Sequence, residues 1–371
     1  MPTALLLSAF GQPDPGEAAL AEAFGAALPG WRTLWATCSP ARPGNGDGAH
    51  STVDVGSPPA VTRALASSDA LVVAGGTVFK TLPPRWGGRP LSLLQRALAL
   101  LGAARVLGKP RAMVGVGAGV LDSAMSRRLT RALVHQTDLL VLRDEESADV
   151  LAAAGAPTPF RVGADAAWTL LEPPPRKPRA SGGPIVVALD VLAGDRSLPV
   201  RLAAALAPLI EAGHDVRLQP WQVAGNGVDD LALAEAVNQR LPRALPVLAA
   251  PASLLEARRL LAEAGLVVGL RFHALVAAAA TGTRFVAYAH EPQHAGLARR
   301  LEQHAVDTLE PPAALMWAIG DAFERPAPAP AAVDSQIEAA LAGMQLLRVL
   351  LTRGDAPAAD EIEGLPLSPA S

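Results

Sequence analysis

The 371-residue sequence predicts an α/β protein made of two doubly wound units, each a parallel sheet with helices on both faces. Two observations carry that expectation. Short apolar runs of strand length alternate with longer amphipathic stretches along most of the chain. The alternation stops once, at Glu172-Pro-Pro-Pro-Arg-Lys-Pro-Arg-Ala-Ser-Gly-Gly-Pro184, where five of thirteen residues are proline and two are glycine, and then restarts. Prolines lack a backbone donor and glycines lack a side chain to pack, so this segment reads as a linker.

In the first unit, strands are expected at Ala4–Ser8, Ala70–Val73, Ala112–Val116 and Leu139–Leu142. Their nearly unbroken apolar character suits strands covered on both faces. Helical spacing runs through Leu91–Leu107 and Ser126–His135. In the second unit the order is strand Ile185–Leu189, helix Leu198–Glu211, strand Asp215–Gln219 and helix Asp229–Arg240. A helix over Ser253–Ala264 follows, opened by Ser253 with Glu256 three residues on, the pattern of a capping box. Strand Leu266–Leu270, helix Ala274–Thr281 and strand Arg284–Tyr288 complete the unit, and Val333–Leu351 reads as a final amphipathic helix. The tail from Arg353 is rich in proline, alanine and acid, a composition expected to be disordered. The resulting boundaries are 1–171 for the first domain, 172–184 for the linker, 185–330 for the second domain, 331–352 for the helix and 353–371 for the tail. Two such units are expected to leave a cleft between them, with ligands at the carboxyl ends of the strands.

Composition narrows the function classes. Half of the residues are hydrophobic and 18% are charged, which supplies apolar surface for sizeable cores. A disordered chain or a coiled coil would be more charged. Lys+Arg 32 against Asp+Glu 35 leaves −3, so no basic excess exists to hold nucleic acid. Only Lys80, Lys109 and Lys177 are lysine; the arginine excess reads chiefly as genome composition, although arginine forks also suit carboxylate and phosphate. The single cysteine, Cys38, permits no intrachain disulfide and points to a reducing compartment. No basic residue precedes Arg32, so the start reads as a strand rather than a signal peptide. No apolar run reaches the ~18 residues of a membrane span, and a soluble, cytoplasmic protein is expected.

Four segments carry chemistry. Gly115-Val-Gly-Ala-Gly119 follows a strand but lacks the third glycine of a dinucleotide fingerprint, so it reads as a tight turn. Ala74-Gly-Gly-Thr-Val-Phe79 places Gly75 and Gly76 at a strand's carboxyl end, either as a plain turn into a helix or as a close approach to a ligand. In Leu142-Arg-Asp-Glu-Glu-Ser147, Asp144 fits a helix N-cap, and the segment either serves that cap or orients Arg143. Gly269-Leu-Arg-Phe-His-Ala-Leu-Val276 joins a buried strand to a helix and puts Arg271 and His273 at the junction. An arginine beside helix amides is an anion site, and a histidine there exchanges protons near neutral pH; the plainer alternative is a packing histidine beside a surface arginine. His290 and His294 stand four apart in a proline-containing loop, and no spacing suggests a metal site.

These segments together resemble the polysaccharide pyruvyl transferase family, and the CsaB type within it. The resemblance lies in Gly108–Asp122, Leu142–Ser147, Gly163-Ala-Asp-Ala-Ala-Trp168, Gly269–Val276, Gly282–Tyr288 and Glu291-Pro292, and covers about residues 3–305 in the same order. It implies two Rossmann-like domains arranged as in GT-B glycosyltransferases, with the acceptor on the first domain and the donor on the second. It implies transfer of pyruvate from phosphoenolpyruvate to a sugar as a cyclic ketal, with release of phosphate. Phosphoenolpyruvate is then a co-substrate and no further cofactor is needed. The acceptor would be a sugar or lipid-linked glycan containing N-acetylmannosamine, and its product anchors surface-layer proteins at the cell wall. Contact with the inner face of the membrane would come only through that acceptor.

On this resemblance His273 is the general acid for the methylene carbon and Arg271 binds the donor, helped by Arg143. Gly75, Gly76 and Arg89 line the acceptor side, and Gln219, Trp221 and Gln222 border the donor. The chain departs from the family pattern at five places. The first loop is shortened to Asp14-Pro-Gly-Glu17, the triple glycine is Ala74-Gly-Gly-Thr77, and Val120 stands where proline is usual. Asp190 stands where arginine is expected, and His290-Glu-Pro-Gln293 replaces Tyr-Asp-Pro-Lys. Two cationic positions are thus lost, with Arg196 as a substitute for one. The competing expectations are a GT-B glycosyltransferase using a nucleotide sugar, and a sugar-binding relative with impaired catalysis.

Overall fold

The computed structural model describes residues 1–7, 15–37, 51–82, 91–157, 160–174, 182–192, 195–223, 229–355 and 368–369. Arg89 and most of the proline-rich stretch lie outside them. The described chain forms two compact α/β units. One holds residues 1–13, 17–170 and 335–371; the other holds 14–16 and 171–334.

The first unit contains β1 (Thr3–Leu7), α1 (Pro15–Ala27), β2 (Arg32–Thr37), β3 (Ser51–Asp54), α2 (Pro58–Ser67), β4 (Ala70–Ala74), β5 (Thr77–Phe79), α3 (Ser92–Val106), β6 (Arg111–Ala118), α4 (Ala124–His135), β7 (Leu139–Leu142), α5 (Glu145–Ala153) and β8 (Arg161–Val162). The main sheet runs β8-β7-β6-β4-β1-β2-β3, all parallel. The order reverses between β1 and β4, the switch point of a doubly wound sheet. The apolar core formed by Leu5, Leu71, Met113 and Leu140 on this sheet is closed by Leu94, Leu101, Leu133 and Leu151 from the helices.

Two expectations change here. Gly115–Ala118 does not leave the sheet as a turn. β6 continues through it, with a register irregularity between Val114 and Val116 where Gly115 takes φ 66°. Only glycine accepts that angle without strain. Gly75 and Gly76, at φ 69° and 73°, do form a turn, but it leads into β5 rather than a helix. The turn is pinned by Gly75 N–H on Val114 O at 2.9 Å and Gly117 N–H on Gly76 O at 2.8 Å.

The second unit contains β9 (Ile185–Ala188), α6 (Leu198–Glu211), β10 (Val216–Gln219), α7 (Asp230–Asn238), α8 (Leu254–Leu261), β11 (Leu266–Gly269), α9 (Phe272–Ala279), β12 (Phe285–Ala289), α10 (Pro292–Arg300), β13 (His304–Asp307) and α11 (Pro312–Ala322). Its parallel sheet runs β10-β9-β11-β12-β13 and reverses between β9 and β11. Ile185, Val187, Leu218, Val268 and Val286 share one face and pack against α6, α7 and α11. Strand alternation sends Ala188, Gly269 and Ala287 to the other face, where Leu275 of α9 leaves no room for a side chain on Gly269. The Ser253 cap forms as expected, its hydroxyl accepting from Glu256 N–H at 3.1 Å. Its reciprocal arm is displaced by one residue, because the Glu256 carboxylate accepts from Ala252 N–H at 2.6 Å.

The last helix, α12 (Pro330–Arg353), is longer than expected and not a separate element. From Ser335 it groups with the first unit. A Cβ on Gly343 would sit 3.3 Å from Val141 and 3.6 Å from Val114, so the helix lies directly on β6 and β7. The tail, expected to be disordered, contributes β14 (Ser368–Pro369), which pairs antiparallel with β8. No helix among the described residues is long and apolar enough to cross a membrane. Gly343→Leu should overpack the seat of α12 and cost about 1–3 kcal/mol, read as a lowered midpoint in urea unfolding.

Candidate functional site

The carboxyl ends of β9, β10 and β11 meet at one buried carboxylate. Asp229 caps α7, accepting from Leu231 N–H at 2.9 Å, which leaves Asp230 as the first helical residue. Asp230 accepts from Trp221 N–H at 2.9 Å, Gln222 N–H at 2.8 Å and Val191 N–H at 3.1 Å. It thereby ties the loop after β9 to the loop after β10 at a helix N-terminus, where the macrodipole favours negative charge. Its fourth partner is Arg271, whose Nη2 lies 3.1 and 3.3 Å from the two oxygens.

Arg271 is the N-cap residue of α9, with extended backbone just beyond β11. Besides Asp230, its guanidinium donates to Leu189 O at 3.3 Å and Gln222 Oε1 at 3.4 Å, and lies 3.1 Å from Asp190 Oδ1. The side chains of Asp230, Arg271 and Asp190 are 0%, 14% and 17% exposed, so the cluster opens toward solvent on the Asp190 side. The other oxygen of Asp190 lies 3.8 Å from His290 Nε2. The His290 ring lies 4.5 Å from that of His294, tilted by 47°, and His294 bonds Leu270 O at 3.0 Å through Nε2. Two acids, Asp190 and Asp230, therefore face Arg271, and Asp190 stands where the family pattern has an arginine. Arg196 is exposed.

His273 lies inside α9. The helix starts at Phe272, two residues earlier than expected, and makes His273 its second residue. The ring meets Phe272 edge-on at 5.7 Å. Gly16 groups with this unit, and a side chain there would collide with the His273 ring. Of the expected donor-side residues, Gln222 and Trp221 thus join Arg271 through Asp230. Gln219 ends β10 fully buried, with neither amide atom hydrogen-bonded among the described residues. Asp230 and His290 were not among the expected site residues. The signal for Asp230 was the Asp229-Asp230 pair at a helix start, which also has the ordinary meaning of a cap.

Gly75, Gly76 and Arg143 belong to the first unit. Arg143 is buried, and its guanidinium donates to Thr77 Oγ1 at 2.6 Å and Asp144 Oδ2 at 3.2 Å, with Asp165 Oδ2 at 3.7 Å. The guanidinium lies so close over Gly117 that a side chain there would collide with it. Asp144 caps α5 as expected, accepting from Ser147 N–H at 2.7 Å. Ser147 Oγ accepts in turn from Ala118 N–H at 2.8 Å. The Arg-Asp-x-x-Ser element thus joins β5, β6 and α5. Arg89 lies outside the described residues. No group of three or more His, Cys, Asp or Glu among the described residues is placed to hold a metal ion.

The loop that carries Asp190 is anchored at its far end by Asp195. Burial alone would raise this carboxyl. Hydrogen bonds from Arg201 at 2.5 Å and from Ser197 at 2.7 and 3.0 Å overcome that and hold it at about 2, below its ordinary 3.8.

A family model described as polysaccharide pyruvyl transferase matches residues 23–292. A search of curated proteins finds no match. Among solved structures, UDP-GlcNAc 2-epimerase from Methanocaldococcus jannaschii is 12% identical, aligning 95% of this chain with 100% of that chain at a TM-score of 0.59. The Neisseria meningitidis UDP-GlcNAc 2-epimerase bound to UDP-GlcNAc is 10% identical over 95% of this chain and 100% of that chain, with a TM-score of 0.59. Anabaena Alr3699/HepE in complex with UDP-glucose is 15% identical over 94% and 99%, with a TM-score of 0.58. At such identities the likeness is one of fold, the pair of Rossmann-like domains of the GT-B type.

Two stability predictions come from these clusters. Arg143→Ala removes the guanidinium beside the buried carboxylates of Asp144 and Asp165 and should cost about 3–5 kcal/mol in denaturant unfolding. For Asp195 the folded-state value lies below the unfolded one, so its stabilisation is complete above about pH 4 and is lost as pH falls toward 2. Solvent screening at this rim position brings its worth to about 1 kcal/mol. Unfolding curves of the wild type and Asp195→Asn should therefore differ at pH 7 and converge near pH 2.

Proposed function

The chain belongs to the polysaccharide pyruvyl transferase family, and on that ground we propose that it transfers pyruvate from phosphoenolpyruvate to two hydroxyls of a sugar in a cell-wall or surface polysaccharide precursor. The observation that carries the reading is the family match across 23–292, a span that includes the Arg271–His273 junction at the carboxyl end of β11. Ligands of doubly wound sheets sit at such ends, beside the switch point, which here lies between β9 and β11.

The chemistry asks for few groups. The methylene carbon of phosphoenolpyruvate takes a proton and becomes the methyl of the ketal. One sugar hydroxyl bonds to the central carbon and gives up its proton, the C–O bond to phosphate breaks with its electron pair leaving on the phosphate, and the second hydroxyl bonds to the same carbon as its proton is lost; of the two protons released, one replaces that given to the methylene carbon and the other leaves with phosphate. His273 is the proton donor in this reading, since an imidazole exchanges protons near neutral pH. Arg271 holds the carboxylate or phosphate of the donor, for which a guanidinium fork has the right geometry. Gln219, Trp221 and Gln222 border the same ligand from the β10 side, and Gly75, Gly76 and Arg89 line the acceptor. Arg143 supports the reaction by tying β5 to the segment after β7. The acceptor is a glycan containing N-acetylmannosamine, in its lipid-linked form at the inner face of the membrane. The reaction belongs in the cytoplasm, and its product anchors surface-layer proteins.

Phosphate release from phosphoenolpyruvate, measured with acceptors containing N-acetylmannosamine, tests the proposal. Acceptor-dependent release is the expected result. His273→Ala should lower kcat at least about 100-fold with the fold intact by circular dichroism. No release with any such acceptor, together with no binding of phosphoenolpyruvate, would overturn the reading; transfer from a nucleotide sugar instead would replace it.

A further inference from the structure

We propose that Asp190 is an internal competitor for the anion site at Arg271 and sets the affinity and charge preference of that site. The two carboxylates on Arg271 are not equivalent. Asp230 is fully buried and accepts three backbone N–H groups as well as the guanidinium. It cannot let go of Arg271 without leaving a charge stranded in the interior, so it is the permanent counter-ion. Asp190 lies at the open side of the cluster, 3.1 Å from the same Nη2, and His290 Nε2 lies 3.8 Å from its other oxygen. It is the carboxylate a ligand can displace, and it has a neighbouring polar group to turn to.

An anion that reaches Arg271 must therefore take the place of Asp190 or bind beside it. Taking its place breaks an existing charge-assisted contact. Binding beside it sets two negative charges a few ångströms apart. Either way the acid at position 190 subtracts from the affinity that Arg271 supplies, and the subtraction grows with the negative charge of the ligand. The inference needs the pyruvyl transfer reading only to name phosphoenolpyruvate as the natural ligand; the competition itself concerns any small anion at Arg271.

The test is calorimetric titration of the full chain with phosphoenolpyruvate and, separately, with inorganic phosphate. The proteins are the wild type, Asp190→Asn, Asp190→Ser, Arg271→Ala and the double variant Asp190→Asn/Arg271→Ala. Removing the charge at 190 should tighten binding of both anions at least about tenfold, more for phosphoenolpyruvate because it carries more negative charge. The gain should vanish in the double variant, which separates competition at Arg271 from a general change of the loop. Thermal melts identify any variant that fails to fold, and the serine variant then stands in for the asparagine one. Equal or weaker binding in the folded Asp190 variants overturns the inference and leaves the pyruvyl transfer reading standing. A gain for phosphate that depends on Arg271, with no binding of phosphoenolpyruvate by any protein, upholds the inference and, together with no acceptor-dependent phosphate release, removes that reading. No binding of either anion by any protein overturns the inference and, together with no such release, that reading as well.

Discussion

The carboxylate of Asp230 is the constraint on which the second unit's ligand end depends. A bare carboxylate is costly to bury, and this one is out of contact with solvent. The cost is offset only because three backbone N–H groups and one guanidinium converge on it. That requirement runs in both directions. The loops after β9 and β10 must bring Val191, Trp221 and Gln222 to one point, and Arg271 must lie across the end of β11. The carboxyl ends of three neighbouring strands are thereby held in one arrangement by charge and hydrogen bonding, above a sheet that is itself held by apolar packing.

Much of this fold was legible from apolar patterning. β7 at Leu139–Leu142 and α6 at Leu198–Glu211 fall where the sequence put them. Both have a full set of buried apolar residues, and Pro199 marks the first turn of α6. The edge strands β3 and β13 were invisible for the opposite reason. β3 has no fully buried residue and β13 buries only Val306, so neither produces an apolar run. The amphipathic pattern of α12 was also readable, but its docking on the first unit was not, because a helix pattern says which face is apolar and not which sheet receives it. Gly343, against Val141 and Val114, was the local trace of that contact.

The candidate site was legible by residue type and opaque by partner. Arg271 and His273 stand out as polar groups at the end of a buried strand. What the sequence does not carry is that Arg271 meets an acid 41 residues earlier, or that the acid after β9 faces the same nitrogen. An aspartate that opens a helix has a sufficient local reason to be there, so a second, long-range role leaves no mark on the pattern. The same is true of the early start of α9, which moved His273 from the strand end into the helix.

Arg143 and Arg271 show how burial, rather than residue type, divides such tasks. Each is an arginine just beyond a strand end, and each faces two carboxylates. Both acids beside Arg143 are about 1% exposed, and Thr77 takes a further donor at 2.6 Å. A ligand that drew this arginine away would take the guanidinium from two buried carboxylates at once, a costly step in the interior. Around Arg271 only Asp230 is enclosed; Asp190 has 17% of its side chain in solvent and can be rehydrated when displaced. The exchangeable position is therefore the one whose counter-ion reaches water. The first arginine is fixed as part of the scaffold, and the second is left with one hydrogen-bonding side open to exchange.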